Sequence, residues 1–188
     1  ITAIVVVVLG VIALNTYVIK PKATEASNEN AKAVAYFAQG NYELALNGDD
    51  AECIGFEQIA NDNKCLQQGR LAALYAGVCY YKLGDFAAAA EYLDRFCAKD
   101  LNIEPASIQL LGDAYVQLED YAKAAKAFEK AAASDNEIIA PMSLKKLGFV
   151  QMELGNNKAA MDAFETIKSE YPVSVEAQDI DKYIAIVK

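Results

Sequence analysis

One six-residue phrase recurs along the chain and limits its fold more than any other feature. It reads Gly-Asn-Tyr-Glu-Leu-Ala at 40–45, Gly-Asp-Phe-Ala-Ala-Ala at 84–89, Glu-Asp-Tyr-Ala-Lys-Ala at 119–124 and Gly-Asn-Asn-Lys-Ala-Ala at 155–160. The copies start at 40, 84, 119 and 155, so the intervals are 44, 35 and 36 residues. A period of this size marks a supersecondary unit that cannot bury its apolar face alone and stacks on copies of itself. Seven residues before each of the last three turns stands a glycine (Gly77, Gly112, Gly148), and four after each alanine stands a large residue (Leu93, Phe128, Phe164). Small residues on paired helices let the backbones approach, so Gly77 is expected to face Ala89, Gly112 to face Ala124 and Gly148 to face Ala160. The large residue then plugs the next gap. Tyr80 and Tyr115 hold an aromatic position three after the glycine, from which Gln151 departs.

These positions resemble the tetratricopeptide repeat (TPR), a two-helix unit of about 34 residues. Pro105 and Pro141 are each expected at the first residue of a first helix, where a missing N–H costs nothing. Pro172, after Glu170-Tyr171, takes the closing proline position. Ser174 to Val187 reads as a capping helix with Val175, Ile180, Ile184 and Val187 as its apolar stripe, needed because the last repeat would otherwise leave a hydrophobic face in water. The first unit is degenerate. Thr24 to Gln39 reads as a helix, but the pattern breaks at Asn47-Gly-Asp-Asp50; Gly55 to Ala60 then reads as a short helix packing Phe56 and Ile59 on the stack, followed by a polar turn, Asn61 to Lys64.

Ahead of the repeats, Ile1 to Ile19 carries no charge and is almost wholly apolar. As one helix it would run about 28 Å at 1.5 Å per residue, close to the roughly 30 Å of a bilayer's hydrocarbon core. Tyr17 suits an interface and Lys20-Pro21-Lys22 is expected to end the insertion. A cleaved signal peptide is the competing reading, but it wants a shorter apolar core and a small-residue cleavage site, where this chain has Lys-Pro-Lys. Orientation would be set by a basic flank expected upstream of Ile1. The expected fold is all-α: a transmembrane helix over 1–20, an irregular first hairpin and loop over 21–69, three TPR units over 70–173, and a capping helix over 174–188.

Composition removes several function classes. Formal net charge is −9, and since Lys20 and Lys22 are the only charges among the first 22 residues, the remainder carries −11. A nucleic-acid binder needs a basic stripe, whereas here Lys and Arg are scattered among more numerous Asp and Glu. The chain has no His and no Trp. It therefore lacks the commonest general base and the commonest zinc ligand. Cys53, Cys65, Cys79 and Cys97, spaced by 12, 14 and 18 residues, match neither a CxxC redox pair nor a zinc ribbon. Cys79 and Cys97 fall in helical pattern, where free Cys behaves as a small core residue. Cys53 and Cys65 bracket an irregular segment and are the candidate disulfide in an oxidising compartment, the alternative being two free thiols. The Asn47 to Glu52 loop lacks EF-hand spacing and reads as a solvated turn. With no phosphate loop, no G-x-S-x-G and no His partner for a nucleophile, no catalytic, cofactor-binding or metal residue is expected.

The TPR resemblance implies a protein-binding groove lined by first helices. Projecting the contact positions of that family gives Leu74, Val78 and Tyr81 in the second unit, Gln109, Asp113, Val116 and Gln117 in the third, and Lys145, Phe149 and Met152 in the fourth. Val78, Phe149 and Met152 also read as core contacts between units. Lys145 is the only basic residue of the ten, which argues against a clamp for a peptide's terminal carboxylate.

The apolar segment, the Lys-Pro-Lys exit, the degenerate first hairpin with its Asn-Gly-Asp loop, and Leu74-Tyr-Ala-Gly-Val-Cys-Tyr-Tyr-Lys-Leu-Gly-Asp-Phe86 together resemble the YfgM-like family of membrane-anchored TPR proteins. The resemblance spans essentially the whole chain. It implies a single-pass protein of the bacterial inner membrane with a periplasmic TPR domain. Translocon subunits, a membrane-anchored chaperone and client polypeptides would be its partners, and it would serve as a non-enzymatic adaptor or chaperone-like accessory of translocation. The alternative is a fixed structural subunit of a larger envelope complex.

Overall fold

The computed structural model describes residues 2–49, 53–98 and 100–188, with residues 2–6 as backbone alone. The chain divides into two compact units, Ile1–Leu83 and Gly84–Lys188. The first holds α1 (Thr2–Leu14), a π-helical turn (Asn15–Ile19), α2 (Lys20–Ala38), α3 (Tyr42–Asn47), α4 (Phe56–Asp62) and α5 (Gln67–Leu83). Between α3 and α4 two short strands, β1 (Gly48–Asp49) and β2 (Cys53–Ile54), pair antiparallel with Asp49 opposite Cys53. The second unit holds α6 (Phe86–Asp94), α7 (Ile103–Gln117), α8 (Tyr121–Ala132), α9 (Ile139–Glu153), α10 (Asn157–Glu170), a 3₁₀ turn (Glu176–Asp179) and α11 (Ile180–Val187).

The expected single membrane-spanning helix is corrected. Among the described residues no helix is long and apolar enough to cross a membrane. α1 has 13 residues, about 20 Å at 1.5 Å per residue and short of a hydrocarbon core of about 30 Å. From Asn15 the backbone bonding widens, and the Lys20 N–H donates to the carbonyl of Asn15, five residues back. Pro21 follows directly. A proline ring clashes with the carbonyl four residues before it, here that of Tyr17, and has no N–H to donate; a π turn at this point relieves both problems. Lys20-Pro21-Lys22 consequently does not stop the helix, which α2 carries on to Ala38.

The irregular first hairpin is held by aromatic packing. Phe56 is fully buried, its ring stacked on Tyr75 at 4.8 Å, and Phe37 meets Tyr42, Phe56 and Tyr75 edge-on at 5.2–6.4 Å. Such ring pairs contribute roughly 0.5–1.5 kcal/mol each beyond area burial. Part of the extra length of this repeat goes into the β hairpin. The Tyr36 hydroxyl donates to the Asp49 carboxylate, whose other oxygen accepts the Cys53 N–H at 3.0 Å. Gly48 has φ 83°, and a Cβ there would lie 2.2 Å from the Cys53 carbonyl oxygen, so no other residue fits. Asp50, Ala51 and Glu52 of the acidic loop lie outside the described residues.

The candidate disulfide is also corrected, since Cys53 and Cys65 are both free thiols, one buried and one exposed. They lie in the segments that precede and follow α4.

The recurring phrase has a backbone reason. Its first residue takes positive φ in all four copies: Gly40 77°, Gly84 86°, Glu119 57° and Gly155 73°. The turn after α7 closes as a Schellman motif, with Glu119 N–H on the Val116 carbonyl and Asp120 N–H on that of Tyr115. The turn after α9 repeats it at Gly155 and Asn156. In the second and third copies the second residue then caps the next helix through its side chain, Asp85 accepting from Ala88 N–H at 3.0 Å and Asp120 from Lys123 N–H at 3.1 Å, whereas Asn41 and Asn156 make no such bond. Glu119 alone takes this conformation with a side chain. Glu119→Gly is therefore expected to stabilise the chain by about 1 kcal/mol, read as a rise in the urea midpoint with unchanged slope; an unchanged or lower midpoint would show that the turn carries no such strain.

In the second unit each helix from α6 to α10 packs on the next. Pro105 and Pro141 are the third, not the first, residues of α7 and α9. The helices start earlier because Asp100 Oδ1 accepts the N–H of Ile103, and Asn136 Oδ1 that of Ile139, both at 2.8 Å. Each proline still lies within the first turn, whose N–H groups have no helical acceptor. The expected glycine–alanine pairing gives way to a different contact. A Cβ on Gly112 would lie 2.5 Å from the Phe128 ring, and one on Gly148 2.1 Å from the Phe164 ring, so both glycines make room for the large residue itself. At the C-terminal end Ile180, Ile184 and Val187 are buried against Phe164 and Ile167. Val175 leaves the expected stripe and is 72% exposed, because a turn and a 3₁₀ segment precede the true helix at Ile180.

Candidate protein-interaction surface

Polar contacts between residues 34 apart, two positions short of the 36-residue interval between the last two phrases, link successive repeats in the second unit. Asn136 Nδ2 donates to Asn102 Oδ1 at 2.9 Å, Gln109 Nε2 to the Ser143 hydroxyl at 2.9 Å, and Lys145 Nζ to Asp179 at 2.6 Å, each pair 34 residues apart. Lys146, 33 residues on from Asp113, grips both oxygens of its carboxylate at 2.6 and 2.8 Å. Stacking of successive units brings the first helices close enough for these side chains to meet, with the partners offset by two or three positions from strict equivalence.

The ten residues expected to line a groove fall on three helices. Leu74, Val78 and Tyr81 lie on α5 in the first unit, half-buried. In the second unit Gln109 is buried and spent on Ser143, while Gln117, at the end of the same helix α7, is exposed. Asp113 is neutralised by Lys146, and Val116 packs against the cluster of Phe128, Leu147 and Val150. On α9, Lys145 pairs with Asp179 and lies 5.3 Å from the Tyr183 ring centroid. Phe149 remains 36% exposed although its ring meets Phe164 at 5.7 Å and Tyr183 at 4.8 Å. Met152 packs on the same terminal cluster. Val116, Met152 and Phe149 thus serve the core on one side while the phenyl edge of Phe149 stays open.

Tyr183 and Asp179 belong to this surface and were not among the ten. Their signal was weak, since both follow the last recurring phrase; only the 34-residue step from Lys145 to Asp179 points to them.

The charges here are spent within the molecule. Hydrogen bonds from Lys145 and then Lys182 pull the Asp179 carboxyl down to about 2. Asp179 therefore favours folding above its ordinary value of 3.8, and that contribution is lost as pH falls through about 2. The melting temperature of the wild type is expected to fall more steeply than that of Asp179→Asn between pH 4 and pH 2, whereas parallel profiles would show that the pairing adds nothing. Burial pushes the Cys79 thiol up to about 12, which makes it a packing residue rather than a nucleophile. Burial, reinforced by Asp49 and Glu29, likewise raises Cys53. Among the described residues no group of His, Cys, Asp and Glu is arranged to hold a metal ion. What remains is a face of paired charges and partly exposed apolar rings.

Comparison with known proteins agrees with this architecture. Residues 71–100 and 110–175 each match a tetratricopeptide repeat model. The chain is similar to crystal structures of MamA, at 19% identity with a TM-score of 0.64 over 88% of this chain and 80% of that one, and at 22% identity with a TM-score of 0.60 over 86% and 85%. It is also similar to the TPR-like repeats of a putative kinesin light chain from Podosopora anserina, at 14% identity with a TM-score of 0.62 over 88% and 86%. At these identities the likeness is one of fold. No curated protein sequence matches the chain.

Proposed function

We propose that this TPR-containing chain is a non-enzymatic adaptor that receives polypeptide segments on the first-helix side of its repeats while its N-terminal apolar segment attaches it to a membrane. The observation that carries the reading is the face of α7 and α9, where Asp113, Lys145 and Lys146 are neutralised internally and Phe149 keeps an exposed ring edge among Val116, Met152 and Tyr183. Such a face discriminates weakly by charge and favours apolar side chains, which is what a protein meeting varied polypeptides requires. Gln109 and Gln117 on α7 complete the proposed surface of the second unit, with Gln109 as internal support; Leu74, Val78 and Tyr81 on α5 are proposed as a separate contact patch of the first unit. Membrane attachment is supported by the unbroken exposure of the apolar side chains from Val7 to Ile19, a helical run continued through the π turn.

The finer reading rests on the resemblance to the YfgM-like family. On that reading the chain is attached to the bacterial inner membrane by its N-terminal segment, with the repeats in the periplasm, and works beside translocon subunits and a membrane-anchored chaperone on emerging clients. A photo-crosslinking amino acid at exposed Gln117 should yield adducts with secreted polypeptides, while the same group at exposed Glu129 on α8 should not. Equal labelling at both sites, or a full-length protein that runs only as a free monomer in mild detergent, would remove the adaptor reading.

The second reading, a fixed subunit of an envelope complex, is favoured by one observation. Val173, Val175 and Ile138 gather around one depression and are 97%, 72% and 71% exposed. Under that reading the Gln117 adduct would be a single stoichiometric partner that does not vary with secretory load.

A further inference from the structure

The side of the second unit formed by its second helices carries a feature that the adaptor reading does not use. A cleft of about 260 Å³ opens between α6, α7 and α8. Leu93, Phe96, Ile108 and Leu111 supply its apolar wall, and α8 supplies Lys123, Lys126 and Lys130 along one edge. The three lysines follow helical spacing, i, i+3 and i+7, so their ammonium groups stand in a row over about 10 Å. Asp94 is the one opposing charge in the lining, and with Asp120 beside Lys123 the local balance is +1 on a chain of formal charge −9.

These lysines differ from those on the first helices. Lys145 and Lys146 are each held by an aspartate at 2.6 Å. Lys123 is shared with its own helix cap, Asp120, at 2.8 Å, and Lys126 and Lys130 make no salt bridge among the described residues. A basic edge only partly neutralised from within, beside an apolar wall on an acidic protein, is a complementary surface for an acidic, apolar ligand.

We propose that this cleft docks a short acidic amphipathic peptide segment of another protein, with a bulky apolar side chain against Leu93, Phe96 and Ile108 and two or three carboxylates along the lysine row. The geometry sets the length of the acidic stretch. Past Ile108 and Lys130 the cleft runs into a second depression lined by Asp100, Glu104 and Asp135, which repels any continuation of negative charge. A nucleic acid or an extended anionic lipid surface would meet those acids; a peptide with two or three acidic residues ends before them. The site stands apart from the first-helix face, so the two fail independently.

The test is selection of random 16-residue peptides from a display library on the full chain, followed by fluorescence anisotropy with the enriched peptides. Enrichment of sequences pairing a large apolar residue with two or three Asp or Glu is expected. Lys126→Glu/Lys130→Glu should weaken their binding at least tenfold with an unchanged melting temperature, and binding should weaken as salt rises. A Gln117→Arg variant should leave it intact. Enriched peptides without acidic residues, equal binding to the charge-reversed variant, or loss of binding in Gln117→Arg would each overturn the proposal. So would binding to vesicles of anionic phospholipid that Lys126→Glu/Lys130→Glu abolishes and the peptides do not displace.

Discussion

Replacing Phe164 by alanine is expected to destabilise the second unit by about 3–5 kcal/mol, the usual range for removing a buried phenyl ring. Phe164 is fully buried and belongs to one cluster with Ile167, Ile180, Ile184 and Val187. Its ring lies 5.7 Å from the centroids of both Phe149 and Tyr183. Deleting it opens a void at the point where α9, α10 and α11 meet, and the neighbouring rings cannot follow without losing their own contacts. α11 should therefore fray before the rest of the unit unfolds, because it has eight residues and is held by Ile180, Ile184 and Val187 on this cluster. Urea unfolding followed by circular dichroism would measure the loss, and amide exchange would show whether residues 180–187 open first. A destabilisation below about 1 kcal/mol would mean that the cluster is not the keystone its burial implies.

Gly148→Ala is the second large effect, expected at about 2–3 kcal/mol, although alanine is the better helix former by roughly 1 kcal/mol. Propensity and packing point in opposite directions here, and packing wins. The new Cβ would lie 2.1 Å from a Phe164 ring carbon and 2.5 Å from the next, closer than carbon atoms approach without displacement. A ring packed between Phe149 and Tyr183 has little room to retreat. The conflict is pairwise, so it should appear as coupling: Gly148→Ala combined with Phe164→Leu is expected to lose at least about 1 kcal/mol less than the two single variants together. Strict additivity would place the cost of Gly148→Ala in the backbone and not against the ring.

The sequence carried this contact in part. Gly148 and Phe164 stand at fixed distances from the recurring phrase, so both positions were marked as special by spacing alone. Assigning them to each other needed the structure, since two small residues facing across a helix pair, and one small residue facing a ring, read the same in a sequence. Lys145 shows the same limit for the candidate surface. Its helical position put it on the first-helix face, but its charge is taken up by Asp179 at 2.6 Å, beyond the last recurring phrase. Gln109 likewise was assigned to a ligand and instead bonds to Ser143. The cleft beside Lys126 and Lys130 was not legible in the sequence, because three lysines at helical spacing normally form a solvated face and only the apolar wall from other helices makes them an edge.

By itself the sequence determined what is local or periodic. The positive-φ turn residue, the capping aspartates and the repeat period rest on constraints within a few residues or on identical units placed side by side, so helical hairpins at their observed places follow from them. The tertiary structure alone decided the rest, which depends on groups distant in the chain competing for the same space or charge. Phe164 came to fill the space above Gly148, Asp179 came to hold Lys145, and Ser143 took the Gln109 amide. Hydrophobic pattern states which side chains leave water. Close packing, which permits one arrangement of rings and not another, states which of them meet.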